Sequence, residues 1–143
     1  LSLTPEPVTS LVPGVAEGVL VGGTVALLAA EVGTETVMPA TGSIALLEDV
    51  DEDLYRLDRM LTHLLRGGWF DGVRGIAVGQ FSGCGTEESL RRLFEDRIAP
   101  LGVPTLFGVA AGHTDRNLAV PLGVPALLDA DAGTLLLREP ALT

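Results

Sequence analysis

The sequence predicts an α/β domain with a mixed sheet and flanking helices, on three observations. Apolar runs of strand length alternate with segments whose leucines recur at helical spacing. Two of those runs, Ile44–Leu47 and Val73–Phe81, are apolar at nearly every position, as strands buried on both faces are. The chain then closes on two short apolar runs around a turn over Asp129–Gly133, the pattern of an antiparallel hairpin.

Leu1–Gly14 carries three prolines and reads as an irregular lead-in. Val15–Val21 reads as a strand, Gly22-Gly23-Thr24 as a tight turn, and Val25–Val32 as a short helix with Thr24 as N-cap and Gly33 as its stop. After a loop over Thr34–Thr41, Gly42 introduces the central strand Ile44–Leu47. Asp51–Arg66 is the clearest helix. Leu54, Leu57, Leu61, Leu64 and Leu65 form one stripe with Met60 on its shoulder. Three acids suit the helix dipole at its start, and Arg66 before Gly67-Gly68 suits its end. Trp69 and Phe70 are expected to cap the core beside it. Val73–Phe81 is a second buried strand, followed by the loop Ser82–Gly85. Thr86 then caps a helix whose inner stripe is Leu90, Leu93, Phe94 and Ile98. Pro104–Val109 is a third short strand, and residues 110–114 form a loop. Leu118–Leu122 and Ala126–Leu128 are short strand candidates, with Thr134–Arg138 as the return strand.

A length of 143 residues fits one domain, and 47% hydrophobic residues with mean hydropathy +0.42 suffice for a core. No apolar run approaches the roughly 18–20 residues of a membrane helix, and Gly22-Gly23 interrupts the most apolar window. No basic cluster precedes an apolar segment, so no signal peptide is read. The chain begins with Leu rather than Met, as a processed piece of a longer protein would. A net charge of −10 argues against nucleic acid or an anionic membrane as partner. The single Cys84 excludes an intrachain disulfide and a Cys-based zinc site. Nothing requires an oxidising compartment, so a cytoplasmic location is expected.

Chemistry gathers at two places. Glu48-Asp49 follows a buried strand with no turn residue between, which is costly unless the acids have partners or a task. One reading is structural: Asp49 caps the following helix and Glu48 pairs with Arg59 or Arg74. The other is that one carboxylate orients an imidazole, as the acid of a nucleophile–His–acid triad does. His113 is the candidate imidazole, since the small residues around it allow close approach and leave the ring free to face a cleft. His63 lies at the flank of the long helix and carries little weight. Two separated histidines predict no metal site, and no cofactor is expected. Gly22-Gly23-Thr24 could bind an anion but lacks the spacing of a nucleotide fingerprint. Cys84 reads either as a thiol activated by the next helix or as an inert loop thiol. Ser82, Cys84, Thr114 and Thr24 are the local nucleophile options, and none sits in a strand–nucleophile–helix elbow.

An ordered set of motifs spans most of the chain. Gly22-Gly23 stands before Ala26-Leu27-Leu28, followed by Gly33-Thr34. The run Gly42-Ser43-Ile44-Ala45-Leu46-Leu47-Glu48-Asp49-Val50 comes next. Then come Tyr55-Arg56-Leu57-Asp58-Arg59-Met60-Leu61 and Gly75-Ile76-Ala77-Val78-Gly79. Gly112-His113-Thr114 and Val120-Pro121-Leu122-Gly123 complete the set. Together they resemble the C-terminal part of the LD-carboxypeptidase family of serine peptidases, which includes the microcin C self-immunity proteins. The resemblance implies a swivelling β/β/α fold with a mixed sheet or partly closed barrel. It implies a Ser-His-Glu triad in which Glu48 is the acid and His113 the base. The serine would belong to a preceding N-terminal domain, with residues 1–14 as the linker from it and 15–143 as the C-terminal domain. The implied substrate is the amide between an L-configured centre and D-alanine in murein peptides during cell-wall recycling, with a homodimer possible. Relatives cleave peptidyl nucleotide antibiotics instead. Gly22, Gly23 and Thr24 are a lesser, substrate-binding candidate. The family usually has Asn after the two glycines, where this chain has Thr24. Lacking the serine, the chain alone is expected to be inactive. Two alternatives stand beside this: a self-contained thiol hydrolase using Cys84, and a non-catalytic module that binds a peptide or partner.

Overall fold

A computed structural model describes residues 2–4, 7–115 and 118–138. Leu1, Pro5 and Glu6 of the expected lead-in, and residues 116–117 and 139–143 of the expected domain, lie outside them. Among the described residues the elements run β1 (Thr9–Val12), β2 (Val15–Thr24), α1 (Val25–Glu31), β3 (Ile44–Val50) and α2 (Leu54–Arg66). They continue with β4 (Gly75–Ser82), α3 (Glu87–Arg97), β5 (Thr105–Phe107), β6 (Pro125–Asp129) and β7 (Thr134–Leu137). A short 3-10 turn over Ala99–Leu101 follows α3.

The strands form one mixed sheet in the order β1-β5-β4-β3-β2-β6-β7, curled into a half-barrel with three flanking helices. β2, β3, β4 and β5 are mutually parallel neighbours, while β1, β6 and β7 join antiparallel. Each parallel step is bridged by one helix, and all three steps move the same way across the sheet. Right-handed crossovers therefore put α1, α2 and α3 on one face. β2 changes partner along its length: Val15–Val19 pair with β6 and Leu20–Thr24 with β3. That switch turns the sheet's corner.

Strand alternation sorts the core into two parts. Ala45, Leu47, Ile76 and Val78 face the helices, where they meet Val25, Leu57, Leu61, Leu64, Trp69 and Phe94. Ile44, Leu46 and Ala77 face the concave side with Leu20, Leu106, Ala126, Leu128 and Leu135. Both faces are covered, as the unbroken apolar runs of β3 and β4 require.

Several expectations need correction. Gly22-Gly23-Thr24 is not a tight turn but the end of β2, kept extended by its ladder with β3. The central strand runs on through Glu48, Asp49 and Val50, so the acids lie within it. The long helix starts at Leu54 rather than Asp51, because Asp51 adopts φ 54° in the connection. Leu118–Leu122 is irregular and not a strand. The lead-in is not wholly irregular. Thr9–Val12 pairs with β5, and Leu3 is completely buried in the concave core. Leu3 N–H donates to Leu135 O at 2.9 Å, and Leu3 O accepts from Ala110 N–H at 3.1 Å. Leu3 thus ties β7 to the loop that leaves β5, across the open side of the curl.

Candidate active site

The two acids of β3 point to opposite faces because they are adjacent on a strand. Glu48 follows Ile44 and Leu46 onto the concave side, while Asp49 follows Ala45 and Leu47 toward the helices. Asp49 is buried, and its Oδ2 accepts from Ala26 N–H at 2.9 Å in the first turn of α1. Its Oδ1 accepts from Val50 N–H at 2.8 Å. Asp49 therefore caps the preceding helix rather than the following one. Thr24 holds the N-cap position of α1, but its side chain does not cap. Its hydroxyl goes to Glu48 instead.

Glu48 is 7% exposed. Register puts Thr24 directly beside it on β2, and Thr24 Oγ1 donates to Glu48 Oε1 at 2.5 Å. The strands approach closely here because Gly22 has no side chain. With φ 127°, a Cβ at Gly22 would lie 2.0 Å from Leu46 O. The other carboxylate oxygen, Oε2, stands 2.7 Å from His113 Nδ1. Neither Arg59 nor Arg74 is among its partners, and Arg74 donates to the Glu17 carbonyl instead.

His113 reaches Glu48 from the loop after β5, across 65 residues of sequence. Its side chain is 56% exposed while that of Glu48 is 10% exposed. With Nδ1 turned inward to the carboxylate, the Nε2 edge on the opposite side of the ring faces outward. A cleft of about 250 Å³ adjoins the pair, lined by Leu46, Ala111, Leu118, Val120 and Leu122 among others. The segment expected as a strand over Leu118–Leu122 is thus one wall of this cleft. A second cleft, of about 300 Å³, lies beside Gly79, Gln80, Ser82 and Phe107 and includes neither Glu48 nor His113.

The remaining sequence candidates fall elsewhere. Cys84 is buried in the helix-side core and accepts from Glu52 N–H at 3.4 Å. Burial pushes its thiol up, the opposite of an activated thiolate. His63 is exposed on α2. Gly23 has φ 144° with open space where a side chain would stand. Among the described residues, no group of three or more His, Cys, Asp or Glu is arranged to hold a metal, and no helix is long and apolar enough to cross a membrane. Sequence reasoning passed over Gln80, although it is the one amide in the otherwise apolar run Gly75–Phe81. Its side chain donates to the carbonyls of Gly108 and Val109.

The model of the LD-carboxypeptidase C-terminal domain matches residues 17–128, a span that contains both Glu48 and His113. The chain belongs to the LD-carboxypeptidase family. It is 53% identical over 135 residues to a Streptomyces coelicolor protein that bears a carboxypeptidase name, covering 94% of this chain and 44% of that protein. The murein tetrapeptide carboxypeptidase of Pseudomonas aeruginosa is 38% identical over 117 residues, covering 79% of this chain and 38% of the relative. The microcin C7 self-immunity protein of Escherichia coli is 30% identical over 135 residues, covering 91% and 39% respectively. A solved structure of a microcin C7 self-immunity protein superimposes with a TM-score of 0.76 at 26% identity, covering 95% of this chain and 42% of that one. The LD-carboxypeptidase segment described here spans less than half the length of these curated relatives.

Proposed function

We propose that this LD-carboxypeptidase C-terminal domain supplies the acid and base of a Ser-His-Glu triad, and that a preceding domain supplies the serine. The full protein would hydrolyse the amide on the L side of D-alanine in murein peptides. The observation that carries the reading is the 2.7 Å contact between Glu48 Oε2 and His113 Nδ1, on an imidazole whose other edge faces outward.

The chemistry follows from that geometry. Glu48 accepts a hydrogen bond from Nδ1–H, which fixes the tautomer and leaves Nε2 as the base. Nε2 takes the serine proton as Oγ bonds to the substrate carbonyl carbon. The imidazolium formed is stabilised by Glu48 and returns that proton to the leaving amine as the C–N bond breaks. Water then attacks the acyl-enzyme, giving a proton to Nε2, which passes to the departing serine oxygen. Because both halves are needed, the 143-residue chain alone is inert toward peptides.

The test uses the full-length protein that contains this segment, with an L,D-tetrapeptide as substrate. His113→Ala lowers kcat about 10³–10⁴-fold, and Glu48→Gln lowers it comparably through the wrong tautomer. Unchanged turnover in either variant would sink the assignment. Similarity to the microcin C7 self-immunity protein favours a second reading, hydrolysis of an acyl-nucleotide amide. Faster turnover of such an amide than of the tetrapeptide would select it.

A further inference from the structure

Strand β4 bulges opposite Glu48. Leu47 pairs with Val78 and Asp49 with Phe81, so Gly79 and Gln80 together face the single residue Glu48. A bulge adds local twist and re-aims the residues beside it. Here it turns Gln80 toward the loop that leaves β5 and carries His113. Gln80 N–H donates to Ala111 O at 2.8 Å. The Gln80 side-chain amide donates to Gly108 O at 3.3 Å and to Val109 O at 3.0 Å. Gly79 makes the approach possible, since a Cβ there would lie 2.4 Å from Ala111 O.

We propose that Gln80 is the positioning residue that holds the histidine loop against Glu48. Its amide has two hydrogens and the loop offers two carbonyls, so donors and acceptors match. Three carbonyls between Gly108 and Ala111 are thereby fixed to β4, the strand that pairs with the strand bearing Glu48. The span between Ala111 and His113 is too short to absorb a shift of that anchor. Without the amide the loop keeps its main-chain bonds to β4, from Gly108 N–H and Val109 N–H to Val78 O and from Gln80 N–H to Ala111 O, but the Gly108 and Val109 carbonyls lose their donor. Those two peptides are then free to tilt, and the shift reaches His113 and draws Nδ1 from the carboxylate. The catalytic consequence rests on the triad reading above, whereas the structural consequence does not.

The experiment has two arms. The first is nitrogen-15 NMR of the imidazoles in the 143-residue chain, where His63 and His113 are the only two histidines. At a pH where the rings are neutral, wild-type His113 carries its proton on Nδ1, seen as an upfield nitrogen bonded to a downfield proton that exchanges slowly. In Gln80→Leu and Gln80→Glu, neither of which can donate to the two carbonyls when the acid is ionised, that signal is lost and His113 joins His63 in the Nε2–H form of a free imidazole. The second arm is kinetics of the full-length protein: both variants lower kcat about tenfold or more and leave KM within about twofold. Retention of the Nδ1–H signal in both variants overturns the proposal. So does loss of amide-shift dispersion throughout the chain, since Gln80 would then serve the whole fold rather than the loop. Should His113→Ala leave turnover intact, the triad reading falls, and the tautomer arm still decides the role of Gln80.

Discussion

Thr24 shows how one side chain can leave its local role for a distant one. A threonine before a helix ordinarily turns its oxygen to the helix N–H groups. Here the hydroxyl proton goes to Glu48 Oε1, and the vacated duty falls to Asp49 from the next strand. Replacing Thr24 with valine keeps the shape and removes the donor from a buried carboxylate. A loss of about 1–3 kcal/mol is expected, read as a lower urea midpoint with unchanged slope, while Thr24→Ser retains most of the stability. A valine variant as stable as the wild type would show that water replaces the hydroxyl. At this scale the sequence was partly legible. Glu48 and His113 were separable from the other ionisable groups because a carboxylate at a buried strand and a histidine among small residues are both unusual. The roles of Thr24 and Gln80 were not, because each depends on register between strands, which no single segment states.

Among the elements, α2 and α3 are joined by apolar packing and by one charged clasp. Arg97 grips both oxygens of Asp58 through Nε and Nη2. The guanidinium holds the Asp58 carboxyl below its ordinary value of 3.8. The sign of the pH dependence follows: a carboxylate with a lowered folded-state value adds stability above 3.8, and that gain is lost as pH falls through the lowered value. Both partners are more than a third exposed, so the gain is small and weakens with salt. Urea midpoints of the wild type and Asp58→Asn are expected to differ at pH near neutrality and to converge in strong acid. A gap that persists or widens on acidification contradicts the clasp. The helices themselves were legible from leucine spacing, and the buried strands from unbroken apolar runs. The start of α2 is less legible: Asp51, Glu52 and Asp53 have the composition of a helix start, yet Asp51 has a positive φ and belongs to the turn, and the helix begins three residues later at Leu54. The end of β2 read as a turn because paired glycines usually bend a chain. Here they thin it so that a neighbouring strand can approach.

On the scale of the whole molecule, the half-barrel is held shut by its first described residues. A lead-in rich in proline gave no sign of this, since a single buried leucine carries no periodicity to read. Leu3→Ala removes a fully buried side chain from the concave core, and a cost of about 2–5 kcal/mol is expected in urea denaturation. A cost near zero would mean that the curl is self-sufficient without the lead-in. The same residue reaches Leu135 on one side and Ala110, in the histidine loop, on the other. The ring of contacts around the concave core is therefore joined between the first and last described segments. On a ribosome, a nascent chain that has not yet released β7 has no acceptor for the Leu3 N–H. β7, made after every other described strand, completes the wall that Leu3 began, and Leu3, which also accepts from Ala110 in the histidine loop, is itself pinned only at that moment.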